Sequence, residues 1–182
     1  MIPVEYFWIA LILVFGIVGM VRGLWKELGV TTVLLLSLFV LKFGWEQIGS
    51  KIVGVLPGQF TEGTTMALYY SVSILFVAFI SYEGISLKFP VKEMGGISKA
   101  IFGLPGGLLN GYLIIGTIWD TVYQASYLGL RVPQGTTGQT VAIATYLTEL
   151  HDTIAHYLPV TFMNEYVMLV LGMILLLAII LK

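Results

Sequence analysis

The sequence contains no cysteine, which excludes disulfides and thiolate metal sites and leaves no thiol usage from which a redox compartment could be read. Charge is also scarce: Asp, Glu, Lys and Arg make up 10% of the 182 residues, against about a quarter in soluble domains. With 9 basic and 10 acidic side chains there is no positive excess to neutralise phosphates, and no basic patch supplies one locally. A nucleic-acid partner is therefore not expected. The only histidines, His151 and His156, are five apart, not the three or four that would stack them on one helical face, and no carboxylate cluster completes a metal site beside them. No Lys-Ser or Lys-Thr follows the glycine-rich runs, so none of them is a phosphate loop. No Ser-His-Asp set can be assembled around His151 and Asp152. An enzyme is not expected, nor a cofactor.

What the chain has instead is apolar length. Hydrophobic residues make up 58% of the chain and fall into runs that a bilayer accepts: about 6–21, 25–41, 65–80, a run from near Ser98 through Pro105 to about Trp119, and 162–181. The first run has no basic residue before it, is followed by Arg22 and Lys26, and shows no A-x-A-like cleavage site, so it reads as a retained span. The fold class expected is all-α, an integral membrane bundle of about five transmembrane helices with one or two interfacial amphipathic helices. Its units are a four-helix core over 1–123, an outward-facing segment over 124–160, and a fifth helix over 161–182.

The fourth run is the expected centre of the bundle. Gly103, Gly107 and Gly111 recur every four residues, with Gly106 and Asn110 on the adjoining row. Glycines so spaced lie on one side of a helix and let another helix come close. Gly16, Gly19 and Gly23 form a matching small-residue face on the first run. Mutual packing of these two faces is the structural expectation, with a kink at Pro105. An alternative has the region 105–107 re-entrant, leaving four crossings.

Elsewhere, Trp45, Ile48, Ile52 and Leu56 recur at helical spacing against Glu46, Gln47 and Lys51, which predicts a short interfacial helix ended by Pro57-Gly58. A second such helix is expected over 141–158, ended by Pro159. Thr31, Thr32 and Ser37 are expected to bond back to their own helix. Asp120 reads as a solvated end residue, in preference to a capping group for the following turn. The last run holds one internal glycine, Gly172, and is expected at the rim, facing lipid. Every Asp, Glu, Lys and Arg can be placed at a span end or in a loop, which argues against a proton relay. If all five runs cross, Arg22, Lys26, Lys88, Lys92, Lys99 and Lys182 fall on one side and Lys42, Lys51 and Arg131 on the other, so the first set is expected to be cytoplasmic. Arg22, Lys26 and Glu27, where the first two runs meet, are either topogenic charge or contacts to an anionic lipid or a partner's side chain.

The run Arg22-Gly23-x-x-Lys26-Glu27 leading directly into the second span, together with the four-spaced glycines of the fourth, resembles the CvpA family, the colicin V production proteins of the bacterial inner membrane. The resemblance covers roughly residues 3–123. That family usually carries an acidic-basic pair before its glycine row and often a basic residue ahead of the last glycine; Lys99-Ala100 and Asn110 stand there in this chain. The fifth run lies beyond the four-span core. The resemblance implies a non-enzymatic, multi-pass inner-membrane protein associated with colicin V production or export and with envelope maintenance. Its partners would be membrane lipid and other membrane proteins or itself. A structural accessory subunit of a larger membrane complex and an oligomeric channel are the competing readings.

Overall fold

A computed structural model describes residues 4–58, 60–83, 87, 89, 95–125 and 153–181. Its elements in chain order are α1 (Val4–Arg22), α2 (Leu24–Val55), α3 (Glu62–Glu83), α4 (Gly96–Gln124), α5 (Pro159–Phe162) and α6 (Glu165–Ile180), with no strand among the described residues. The chain is an all-α bundle.

Local chemistry sets the breaks. Gly23 separates α1 from α2 with φ +88°, a left-handed conformation that a side chain would strain. α2 stops where Leu56 turns extended ahead of Pro57, as a residue preceding proline prefers. Before α3, Thr61 Oγ1 accepts from Thr64 N at 3.2 Å; before α6, Asn164 accepts from Tyr166 N at 2.8 Å. Both are side-chain caps for otherwise orphaned helix donors. Pro105 lies inside α4, which continues past it as one helix, so the region 105–107 is not re-entrant.

The helices α1 to α4 have 19, 32, 22 and 29 residues and are apolar enough to cross a membrane. At a rise of roughly 1.5 Å per residue each reaches about 28 Å or more, close to or beyond the thickness of a hydrocarbon core. α6, with 16 residues, is shorter.

α1 and α4 pack most intimately, running antiparallel. Gly19 lies against Gly103 and Gly107, Ile12 and Phe15 lie against Gly111, and Trp8 stacks on Trp119 with centroids 6.0 Å apart. α2 runs parallel to α4, because Glu27 meets Gly106 and Thr31 meets Asn110. α6 runs antiparallel to α2, with Glu165 beside Lys42 and Gly172 against Leu36. Leu34, Leu35, Leu38, Ile74, Leu113, Ile114 and Met168 fill the space between α2, α3, α4 and α6.

One expectation is corrected and two others take a definite form. The second apolar run and the interfacial helix after it are one continuous helix, α2; hydropathy falls after Leu41, but no residue there stops the backbone until Leu56-Pro57. α6 lies at the rim of the bundle, most of its large apolar residues being exposed, and Gly172 is buried where it meets Leu36. The chain reverses direction at Gly23, and α1 packs mainly on α4 through the two glycine faces, as expected. Most of the expected helix over 141–158 lies outside the described residues, as do Lys88, Lys92, Arg131, His151 and Lys182.

Candidate functional site

The most developed polar constellation gathers around Glu27, in the first turn of α2. Its side chain is wholly buried, with 0% of its surface exposed, and has room because Gly106 stands opposite: a methyl on Gly106 would lie 2.9 Å from Glu27 Cβ. One carboxylate oxygen, Oε1, accepts from Arg22 Nε at 2.8 Å. The other, Oε2, accepts from Tyr82 Oη at 2.9 Å and from Asn110 Nδ2 at 2.8 Å. A single carboxylate thus joins the end of α1, the start of α2, the end of α3 and the middle of α4.

Each partner is held in turn. Arg22 Nη1 donates to the Tyr82 carbonyl at 3.2 Å, and the guanidinium lies over the Tyr82 ring, 4.6 Å from its centroid. Asn110, itself 0% exposed, also donates Nδ2 to the Glu27 carbonyl at 3.0 Å. Thr31 Oγ1 lies 2.7 Å from Asn110 Oδ1 and 2.9 Å from the Glu27 carbonyl, two acceptors for its one proton. Charge-assisted bonds of this kind are stronger than neutral ones, and burial makes the loss of any partner costly.

A second cluster closes the opposite end of the bundle around Asp120. Oδ2 accepts from Thr161 N at 2.7 Å, and Oδ1 accepts from Thr161 Oγ1 and Gln124 Nε2, each at 2.8 Å. Thr161 belongs to α5, so Asp120 seats that turn on α4; beside it Pro159 packs on Gly116. Lys42 Nζ donates to the carbonyls of Val160 and Met163 at 3.3 and 3.2 Å and lies 3.4 Å from Glu165 Oε2. Between the two clusters, Leu34, Ile74, Leu113 and Ile114 are each 0% exposed, so the middle of the bundle is closed apolar packing.

The positions singled out in the sequence fall into three groups. Gly19, Gly103, Gly107 and Gly111 lie in the α1–α4 contact; Gly16 faces Leu104 and Leu108, and Gly23 forms the turn with the Lys99 stem across it. Asn110, grouped with the packing residues, is the polar centre of α4. Glu27 is corrected as a lipid or partner contact, because it is sealed inside the bundle, and Arg22 is turned inward to meet it. Lys26 remains partly exposed. Asp120 is also corrected: it is 1% exposed, not solvated.

Thr31 bonds back to its own helix as expected, but the same hydroxyl also joins α4. Tyr82 escaped notice in the sequence because an aromatic at a span end reads as an interface anchor. Thr161 gave no signal, since its role depends on Asp120 far away in the chain. Among the described residues, no three His, Asp or Glu side chains are grouped to hold a metal ion.

The fold and the two polar clusters define the class: an all-α helical bundle of membrane-protein character, joined by buried polar groups at each end of an apolar core. Comparison with protein families, with curated proteins and with solved structures yields no match to this chain.

Proposed function

We propose that this chain is a non-enzymatic, multi-pass protein of the bacterial inner membrane, of the CvpA kind, acting in colicin V production or export and in envelope maintenance through helix contacts. The observation that carries this reading is the convergence of the resembling residues on one structural unit. Arg22 and Glu27 pair, Gly23 turns the chain, and the glycines of α4 receive α1, so the motif coincides with the junction of all four core helices. The apolar packing between the Glu27 and Asp120 clusters favours contact-mediated action over a pore within one chain. In this reading the end bearing Arg22, Lys26 and Lys99 faces the cytoplasm.

The test is complementation of a colicin V-producing bacterium that lacks its own CvpA protein. The wild-type chain is expected to restore colicin release, and Gly107→Leu is expected to fail. An inserted, stable chain that restores nothing would overturn the assignment. In that case, extraction in mild detergent with a different protein at fixed ratio would mark an accessory subunit, with α6 as its first surface to probe, because α6 packs chiefly on α2 and leaves much of its own surface exposed.

A further inference from the structure

The chain that leads into α6 does not stop at the end of α4 but passes below it. Thr161 sits on Asp120. Pro159 packs on Gly116, one turn or about 6 Å nearer the middle of α4. The Tyr157 carbonyl accepts at 2.6 Å from the hydroxyl of Tyr112, a residue one further turn inward. Ala155 and Leu158 close on Trp119, and the chain then returns through Met163, whose carbonyl takes Lys42, to the start of α6.

The level at which it turns is apolar on the helices around it. Trp8 stacks on Trp119, which sets the exposed Tyr6 and Phe7 of α1 at the Asp120 level. On α2, Val40 and Phe43 are exposed on either side of Lys42, and the exposed charges Glu46 and Lys51 come only after it. On α6, Tyr166 is exposed directly after Glu165. Within the turn itself Leu158 and Pro159 are buried, while Tyr157 and Phe162, each 61% exposed, hold their rings 5.8 Å apart on the outside. His156, exposed just before Tyr157, keeps the entry at headgroup level.

The backbone of this turn finds its partners within the protein. The N–H groups of Tyr157, Leu158, Thr161, Phe162 and Met163 donate to Ile154 O, Ala155 O, Asp120 Oδ2, Leu158 O and Pro159 O at 2.9, 3.3, 2.7, 2.7 and 3.0 Å. The Tyr157 carbonyl takes Tyr112, and those of Val160 and Met163 take Lys42 Nζ. A loop lying in water can leave such groups to solvent, whereas irregular backbone at membrane depth needs protein partners.

We propose that residues 157–163 form a shallow re-entrant turn in the leaflet at the Lys42 end, and that the Tyr157 and Phe162 rings contact phospholipid where headgroup meets acyl chain. The proposal rests on the membrane reading given above. Aromatic rings suit that boundary, and Tyr112 and Lys42 hold the turn there by capping its carbonyls.

The full chain carries one nitroxide-labelled cysteine at a time, at Tyr157→Cys, Phe162→Cys, the exposed mid-helix Phe76→Cys of α3 or the exposed Gly54→Cys of α2, in vesicles of phosphatidylethanolamine and phosphatidylglycerol. Collisions of the label with oxygen, which concentrates among acyl chains, and with a neutral nickel chelate, which stays in water, read its depth. Labels at 157 and 162 are expected to lose most of the nickel access seen at 54 and to approach the protection seen at 76. Nickel access at 157 and 162 equal to that at 54, with 76 protected, would overturn the proposal and leave the membrane reading in place. High nickel access at 76 as well would overturn both. Tyr112→Phe strands the Tyr157 carbonyl and is expected to raise nickel access at 162 while 76 stays protected. Unchanged access at 162 would overturn the anchoring role of Tyr112.

Discussion

Glu27 is the residue on which the bundle's polar chemistry turns. Removing Arg22 alone leaves a buried carboxylate with two neutral donors and no cation; removing the charge of Glu27 alone leaves the guanidinium facing an amide. Either change is expected to destabilise, by about 1–3 kcal/mol for the isosteric Glu27→Gln and more for Arg22→Met. The double variant should be less unstable than the two losses added together, with a coupling of about 0.5–3 kcal/mol, because the second substitution removes the group stranded by the first. Unfolding in mixed detergent micelles measures all three, and strict additivity would mean that the Arg22–Glu27 contact carries no net stability. The presence of Glu27 at the start of a helix was plain in the sequence, but its burial was not. A charge at a span end reads the same whether it meets water or three donors from other helices, and Tyr82 and Asn110 are brought to it only by tertiary packing. Asp120 illustrates the same limit from the other end of the bundle, since its donors include Thr161, 41 positions away.

At the level of the elements, the α1–α4 pair was the most legible feature, because glycine spacing encodes a smooth helix face independently of what covers it. The structure gives that face a specific partner: a methyl on Gly107 would sit 2.8 Å from Gly19 Cα, in contact with backbone that has nowhere to move, whereas one on Gly54 of α2 would meet nothing within 4 Å. The same substitution should therefore have opposite signs at the two positions. Gly107→Ala is expected to cost about 1–3 kcal/mol by overpacking. Gly54→Ala is expected to add about 0.5–1 kcal/mol by restricting the unfolded chain at an unstrained helical position. Thermal midpoints of the two variants in one detergent decide it; a stable Gly107→Ala would mean that α1 and α4 can separate without loss. The boundary of α2 was less legible. Hydropathy reports where a helix leaves the apolar layer, while backbone chemistry decides where it ends, and the two differ when a helix continues beyond its apolar part.

For the whole molecule, the antiparallel and parallel pairings fix which ends share a side. α2 and α4 run one way; α1, α3 and α6 run the other, so Arg22, Lys26 and Lys99 gather at one end and Lys42 and Lys51 at the opposite end. Lys42 is committed to the Val160 and Met163 carbonyls and to Glu165, which leaves Lys51 as the exposed cation among the described residues at its end. Arg22 is likewise committed to Glu27, so the solvent-facing cations are Lys26 and Lys99 at one end against Lys51 at the other, and in the proposed reading the Lys26–Lys99 end is expected to be cytoplasmic. Because the chain has no cysteine, single introduced thiols report sidedness without background. Gly54→Cys and Ser98→Cys both occupy exposed positions, one at each end. In intact cells whose outer membrane has been made permeable, a membrane-impermeant maleimide is expected to label Gly54→Cys and to reach Ser98→Cys only after the inner membrane is broken. Labelling in the reverse order would invert the bundle, and equal labelling of both before lysis would mean that the bundle does not divide two aqueous compartments.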